Sequence, residues 1–312
     1  MGYVAVLGRK RADLDEMAER RWTAIRASRP DLQPALDLQK SLLALVGEIA
    51  AALDGGRLPR LSLPPRYLTA KLARGVPAFA GEPIPLPVPV LKPALARFCA
   101  ALAAGGAGDS AAHIGHAIAG GNLDAGSLLQ ASLARNQEAI RTGAIHRGLA
   151  PDLVWLVAEL ALGPFVYALQ SLVLGQAKDE GLRRALAGWA HGYCPACGSW
   201  PALAEVVGGH RCLRCSFCSS GWQLPSYACI YCERAGEQFV TAAPNPDRSD
   251  RRVELCGGCG GYLKTIDLPE LSPFPLLSIS DIETTDLDVA AMEHGYRRPA
   301  LKPFAAPPAR GS

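Results

Sequence analysis

The sequence has no marked excess of charge of either sign. It carries 32 lysine and arginine residues against 29 aspartate and glutamate residues, a formal net charge of +3 over 312 residues. Proteins that bind nucleic acid or anionic membrane surfaces usually show a clear basic excess. The composition therefore calls for neither partner, and neither nucleic-acid binding nor membrane insertion is expected.

Long apolar segments are also scarce. The N-terminal residues lack an apolar core followed by a cleavage site, so no secretory signal is expected. The run Ala161 to Ala177 is uncharged, but it is shorter than the roughly 20 residues of a membrane span and contains Pro164. A buried central helix is expected there. No arrangement of a nucleophile beside a base is found, so no enzymatic activity is expected.

The first part of the chain, residues 1–190, is expected to form an α-helical domain. Alanine and leucine dominate it, and apolar residues such as Leu36, Leu43 and Val46 recur at helical spacing. Helices are predicted over residues 11–26, 32–53, 67–72, 93–104, 108–119, 124–146, 151–176 and 180–190. The prolines of residues 76–93 predict an extended linker, because proline disrupts regular helix.

Nine of the ten cysteines lie between Cys194 and Cys259, mostly as Cys-x-x-Cys pairs. Two such pairs make one tetrahedral thiolate site, so two metal sites are predicted, each holding a zinc or iron ion. Sequential pairing is favoured over an interleaved arrangement because its loops are shorter and close at less entropic cost. The predicted ligands are Cys194, Cys197, Cys215 and Cys218 in the first site, and Cys229, Cys232, Cys256 and Cys259 in the second.

Cys212 stands at the same two-residue spacing before Cys215 and is an alternative ligand. Small residues and a glycine follow Cys218, as in a metal knuckle, so Cys212 is interpreted as a spare thiol on the preceding strand. Trp200 and Trp222 are expected to cover the sulfurs of the first site. Paired cysteines at metal spacing indicate a reducing compartment, and a cytoplasmic location is expected.

These features predict a mainly α fold: an N-terminal helical domain, then two small rubredoxin-like or zinc-ribbon knuckle modules in residues 191–264, then a C-terminal helix. Residues 265–312 are expected to form an extension with that one helix and a disordered tail from residue 299. Ser280 and Glu283 suggest a capping box, Ile282, Thr285, Val289 and Met292 form an apolar stripe, and Gly295 is expected to end the helix.

The residues around the cysteines carry a family resemblance. The motifs are Cys194-Pro-x-Cys197-Gly198-Ser199-x-Pro201, Arg211-x-Leu213-x-Cys215-Ser216-x-Cys218-x-x-x-Trp222, Cys229-x-x-Cys232 and Glu254-x-Cys256-x-x-Cys259-x-x-Tyr262-Leu263-Lys264. Together with Asp281-x-x-Thr284-x-x-Leu287-Asp288 they resemble the formate dehydrogenase accessory protein family FdhE.

This resemblance implies a cytoplasmic, non-catalytic maturation factor. Such proteins assist the assembly of formate dehydrogenase by binding its immature catalytic subunit, and rubredoxin-like binding of iron or zinc accompanies the family. The resemblance also suggests a recognition role for Asp281 and Asp288, which otherwise complement the positive end of a helix. A rubredoxin-like iron or dithiol redox protein remains the alternative. The oligomeric state does not follow from the sequence.

Overall fold

The computed structural model describes residues 2–6, 8–54, 58–59, 61 and 63–301, so the predicted tail lies, from residue 302 onward, outside the described residues. The helices within these residues are α1 (Arg11–Ser28), α2 (Gln33–Asp54), α3 (Pro65–Leu72), α4 (Val88–Leu102), α5 (Gly108–Ala119), α6 (Ala125–Leu133), α7 (Gln137–His146), α8 (Pro151–Gln170), α9 (Glu180–Ala187), α10 (Leu277–Glu283) and α11 (Thr285–Glu293). The strands are β1 (Tyr3–Val4), β2 (Pro201–Val207), β3 (His210–Cys215), β4 (Gly221–Trp222), β5 (Phe239–Ala242), β6 (Arg251–Cys256) and β7 (Tyr262–Asp267).

The chain divides into two compact units. A helical unit takes the described residues of 26–62 and 79–170, and a sheet unit takes those of 1–25, 63–78 and 171–302. The helical unit is built around α8, whose Ala161, Phe165 and Val166 are fully buried. Its apolar positions face the core at helical spacing, as the alanine- and leucine-rich sequence predicts.

Helix α4 begins earlier than the prolines of residues 76–93 suggest. The linker prediction is wrong from Val88 onward, because Pro87 occupies the cap and Pro89 lies in the first turn. Proline is tolerated there, since amides of the first turn have no intrahelical partner. The predicted helix over residues 124–146 is also divided, because Arg135 adopts a left-handed conformation (φ 57°) and Asn136 caps α7.

Among the described residues, two stretches meet the length and apolar composition of a membrane span, Val88–Ala119 and Pro151–Gly175. Their mean hydropathies are 1.3 and 1.6, and 33% and 56% of their apolar windows are buried within the protein. The core helix of a folded unit passes the same test. Burial of Ala161, Leu162 and Leu169 agrees with the core helix expected for this run.

The strands form one sheet in the order β1-β4-β3-β2-β7-β6-β5. Neighbouring strands are antiparallel except β2 and β7, which pair in parallel through Ala204–Thr265 to Val206–Asp267. This parallel pair joins the two cysteine-bearing halves. The expectation of two separate small modules is corrected accordingly, because the strands of both halves belong to a single seven-stranded sheet.

The C-terminal segment forms two short helices, α10 and α11, instead of one. Ser280 lies inside α10 and its hydroxyl accepts a hydrogen bond from Arg21 (2.9 Å), so the capping-box prediction is wrong. The predicted apolar stripe is also wrong, since Val289 and Met292 are 45% and 56% exposed. Gly295 follows α11 with φ 82°, as predicted for a helix end.

Gly192 packs against the backbone just before the first cysteine pair. A Cβ atom built on it would lie 1.9 Å from the carbonyl oxygen of Ile230, just after Cys229. We therefore expect Gly192→Ala to lower the free energy of unfolding by about 1–3 kcal/mol, because neither backbone can yield without strain. Gly126→Ala in α6 is the matched control, since its Cβ would meet only an ordinary contact at 3.5 Å. Urea unfolding measures both, and equal stabilities would contradict the expected clash.

Candidate metal centres

The eight predicted ligand cysteines lie in two groups of four. Within each group the sulfur atoms are all within 4.8 Å of one another, and either group could hold a metal ion. Site one consists of Cys194, Cys197, Cys215 and Cys218, and site two of Cys229, Cys232, Cys256 and Cys259. This grouping corresponds to the sequential pairing of the Cys-x-x-Cys pairs and not to the interleaved one. Among the described residues, no other group of histidine, cysteine or acidic side chains meets this criterion.

Four knuckle turns of one geometry position the sulfurs. The amide of each first cysteine donates to the carbonyl five residues later, over 2.8–2.9 Å, and its own carbonyl accepts from the amide four residues later. The residue four positions after the first cysteine has positive φ in all four turns: Gly198, Ser219, Glu233 and Gly260. Glycine adopts this conformation freely, whereas Ser219 and Glu233 adopt it at a cost of about 1–2 kcal/mol per residue.

Amide and hydroxyl groups surround the sulfurs of site one. The amides of Phe217 and Cys218 point at the Cys215 sulfur and the amide of Ala196 at the Cys194 sulfur, each over 3.4 Å. Such donors favour the ionised sulfur of a metal-bound cysteine and orient it toward the ion.

The spacing of the sulfurs fits a tetrahedral ion. In site one the sulfur–sulfur distances are 3.6 Å for Cys194–Cys218 and 3.5 Å for Cys197–Cys215. In site two the sulfur–sulfur distances are 3.7 Å for Cys229–Cys259 and 3.6 Å for Cys232–Cys256. A zinc–sulfur bond of about 2.3 Å places tetrahedral sulfurs about 3.8 Å apart, whereas a disulfide places them about 2.05 Å apart. Both groups therefore fit a thiolate-bound ion, and tetrahedral sulfur ligands suit zinc and iron alike.

The sulfurs of site one are difficult to ionise without a cation beside them. Burial raises the pKa of Cys215 and Cys218 well above the usual thiol range, and the neighbouring Cys194 and Cys197 raise it further. Four buried sulfurs cannot share one charge-free cavity as thiolates. A bound divalent cation reverses this preference, because it deprotonates the thiols that it binds.

The two sites differ in their exposure. The four cysteines of site one are all buried, with at most 3% of any residue exposed. In site two Cys229 and Cys256 are buried, but Cys232 and Cys259 are partly exposed.

Cys212 is buried on β3 and belongs to neither group. Its sulfur lies 3.7 Å from the carbonyl oxygen of Leu213, and burial raises its pKa to about 12. This placement agrees with the interpretation of Cys212 as a spare thiol. The strand register explains why Cys215, and not Cys212, is in site one. Cys215 pairs with Pro201 at the end of β3 and begins the knuckle turn there.

Aromatic rings connect the surroundings of the two sites. His191 stacks on Tyr193 (centroids 5.0 Å apart), Tyr193 meets Trp200 edge-on at 6.0 Å, and Trp200 meets Tyr231 at 5.0 Å. Tyr231 lies between the two cysteines of the third knuckle. Trp222 is fully buried and donates to the carbonyl oxygen of His191 (3.1 Å). His191 is thus part of the packing and of neither sulfur group.

The acidic residues near the C-terminus are engaged with basic partners. Lys264 is fully buried and its ammonium lies 2.6 Å from carboxylate oxygens of both Asp281 and Asp288. Arg298 also lies 3.0 Å from Asp288, and its pKa is raised by both aspartates although burial opposes the shift. These contacts attach α10 and α11 to β7. They give the two aspartates a structural role beside any recognition role.

A buried ion pair in the sheet was not predicted. Glu205 on β2 and Arg214 on β3 form a salt bridge with both side chains fully buried. Arg214 also donates to the carbonyl oxygen of Ser272 (2.7 Å), and the amide of Ser272 donates to Glu205 (3.0 Å). The alternation of polar and apolar residues in β2 and β3 does not distinguish Glu205 and Arg214 from solvent-facing residues. They are buried because the distant segment around Ser272 covers them.

Comparison with known proteins places these features in context. No family model matches the chain. Curated proteins named Protein FdhE from Salmonella arizonae, Salmonella paratyphi B and Salmonella newport are each 32% identical to it over 150 residues. The matched part covers 46% of this chain and 48% of each relative, so it spans about half the length of these curated relatives.

The fold has a solved counterpart along almost its whole length. The crystal structure of the FdhE protein from Pseudomonas aeruginosa matches 98% of this chain and 99% of that chain, with a TM-score of 0.59 and 22% identity. At this identity the match shows the fold. Together with the curated relatives, it confirms the similarity to FdhE proteins that the cysteine motifs indicate.

Proposed function

We propose that this protein is an accessory factor for the maturation of formate dehydrogenase, acting in the cytoplasm on the immature catalytic subunit of that enzyme. One observation carries the proposal: four knuckle turns of one geometry form two four-sulfur groups within a fold that matches an FdhE crystal structure almost end to end. The name FdhE belongs to the relatives, and its extension to the function of this chain is the proposal.

All eight cysteines of sites one and two act, in this proposal, as ligands of two ions, zinc or iron. When bound, each ion cross-links two knuckle turns. Site one links the turn before β2 to the turn after β3, and site two links the segment before β5 to the turn between β6 and β7. The ions thereby hold a binding scaffold in shape, and the protein catalyses no reaction.

The charge distribution favours a protein partner over nucleic acid. Basic side chains close to the knuckles are neutralised by carboxylates: Arg211 binds Glu254, and Arg252 binds Asp267. Phosphate backbones are bound by clusters of unpaired basic side chains. Each thiolate site also adds about two negative charges when it holds a divalent ion, from four thiolates and one cation.

Co-purification tests the proposal. The full chain is tagged and expressed together with the catalytic subunit of formate dehydrogenase. It is expected to retain the immature subunit, which has not yet received its cofactor. Cys259→Ala removes one ligand of the partly exposed site and is expected to lower the retained amount at least fivefold, because the knuckle surface is no longer fixed. Cys212→Ala, which removes a buried cysteine outside both groups, is the control and retains the subunit. Full retention by the Cys259 variant with site two empty would contradict the metal-dependent scaffold.

The second candidate is electron transfer through rubredoxin-like iron centres. The observation that favours it is the chain of rings Tyr193, Trp200 and Tyr231, which leads from the first knuckle to the third. Visible absorption and elemental analysis of protein purified without oxygen distinguish the two functions. Two equivalents of zinc and no visible band would exclude iron electron transfer.

A further inference from the structure

We infer that the two sites have different tasks: site one holds a permanent ion, and site two exchanges its ion with external thiols or chelators at its Cys232/Cys259 edge. The inference rests on the proposed function in one respect, since it takes both sulfur groups as metal sites. It goes beyond that function by assigning the entry and exit of metal to one site and one edge.

Site one is enclosed by protein on the side where a knuckle usually meets solvent. Every residue from Gly192 to Ser199 is buried, including the turn residues Pro195 and Ala196 between the two cysteines. On the opposite side, the residues from Phe217 to Trp222 are buried as well. Ser216, between Cys215 and Cys218, is exposed, but the four cysteines themselves are at most 3% exposed, so a ligand from solution has little direct access to their sulfurs.

A strap of residues 75–78 covers the first knuckle and is itself tied down. The amide of Ala78 donates to the carbonyl oxygen of Pro195 (2.8 Å), and the ammonium of Lys71 donates to the carbonyl oxygen of Ala78 (3.0 Å). The hydroxyl of Tyr193 donates to the carbonyl oxygen of Gly75 (2.8 Å). Ala78 and Lys71 are buried, so the strap cannot lift without exposing a lysine stem and breaking all three bonds.

Site two opens toward solvent. Cys232 and Cys259, the second cysteines of their knuckles, are partly exposed, and the residues that follow Cys232, from Glu233 to Gln238, are all exposed. Gly257, beside Cys256, is exposed too. An incoming donor can thus approach the ion beside two partly exposed cysteines while Cys229 and Cys256 still hold it from the buried side.

This difference controls the rate of exchange. A thiolate-bound ion leaves by stepwise replacement, in which an external donor binds the ion and one cysteine sulfur departs at each step. At site two the donor can bind before any protein contact breaks. At site one the strap and the surrounding sheet must open first, and such larger openings are much rarer than local ones. Release from site two is therefore expected to be at least tenfold faster.

The test uses the full chain loaded with two equivalents of zinc and challenged with 4-(2-pyridylazo)resorcinol, a coloured chelator. We expect one equivalent to be released in a fast phase and one in a phase at least tenfold slower. Cys259→Ala should bind one equivalent and show only the slow phase, whereas Cys212→Ala should show both. Labelling of the native zinc protein with N-ethylmaleimide, followed by mass spectrometry, should modify Cys232 and Cys259 before any cysteine of site one.

Release of both ions at one rate, first labelling of site one, or loss of both ions from the Cys259 variant would overturn the inference. A wild-type protein that binds no metal would overturn both this inference and the metal scaffold of the proposed function. Two zinc equivalents released in two phases, with no capture of the formate dehydrogenase subunit, would overturn the proposed function and leave the exchange at site two standing.

Discussion

Replacing Cys215 with alanine is expected to unfold the sheet unit. Cys215 ends β3 and supplies site one with a fully buried sulfur that receives two amide hydrogen bonds. A structural zinc ion contributes on the order of 10–16 kcal/mol of binding free energy in small zinc-finger peptides. That exceeds or equals the net stability of about 5–15 kcal/mol of a whole domain. If the enclosed site one holds such an ion, its loss would remove more free energy than the unit can spare, whereas the partly exposed, exchanging site two is expected to contribute less.

Two apolar clusters described on this sheet are small, one formed by Ala202, Leu203, Ile266 and Leu277, and another by Val253, Tyr262 and Ala291. Near-UV circular dichroism of Trp200 and Trp222 should collapse in the Cys215→Ala variant, and limited proteolysis should cut within residues 191–264. Cys212→Ala, on the same strand and equally buried, is expected to cost only about 1 kcal/mol. An unchanged dichroism spectrum of the Cys215 variant would show that the ion is not structural.

Replacing Arg214 with methionine is expected to lower the free energy of unfolding by about 3–5 kcal/mol, because it leaves the buried carboxylate of Glu205 without its partner. Two further bonds disappear with the guanidinium, those to the carbonyl oxygens of Ser219 (3.2 Å) and Ser272 (2.7 Å). Urea unfolding of the zinc-loaded protein measures the loss through the sheet unit's tryptophan fluorescence.

Two companion variants separate the buried charge from general disruption. Arg141→Met removes an exposed arginine that pairs with Asp152, and such surface pairs contribute about 0–1 kcal/mol. Adding Glu205→Leu to Arg214→Met removes the orphaned carboxylate, so the double variant should be more stable than the single one. If Arg214→Met costs no more than Arg141→Met, or if the second change lowers stability further, the pair is not the electrostatic unit described above.

Local sequence signals predicted the knuckles well because the chemistry of each lies within six residues. The spacing of the cysteine pairs and the shorter loops of sequential pairing agree with the two observed groups. Glycine after the second cysteine marked only two of the four turns, since Ser219 and Glu233 adopt the same left-handed conformation. Their conformation is imposed by the hydrogen bonds of the turn, so it cannot be predicted from the residue type.

Features that depend on distant partners were missed. The parallel pairing of β2 with β7 involves residues about sixty positions apart, and each strand alone reads as part of a local hairpin. The apolar stripe through Val289 and Met292 has helical spacing, yet Leu287 and Ala291 are the buried residues of α11, which packs on β6 and β7. Ser280 resembles a helix cap in the sequence, but its hydroxyl accepts a hydrogen bond from Arg21, which is distant in sequence. Periodicity indicates that a helix exists, but tertiary packing decides which face is buried.

The pairing of β1 with β4 has a consequence for the order in which the chain folds during synthesis. Tyr3 pairs with Trp222, so β1 stays unpaired until more than two hundred later residues have been synthesised. The described residues of the helical unit end at residue 170, so this part of the chain can fold earlier. The sheet unit is completed last, when β7 pairs with β2. If the two sulfur groups hold ions, these ions would be inserted at the end of biogenesis, and newly made protein without them would keep a folded helical unit and an unfinished sheet.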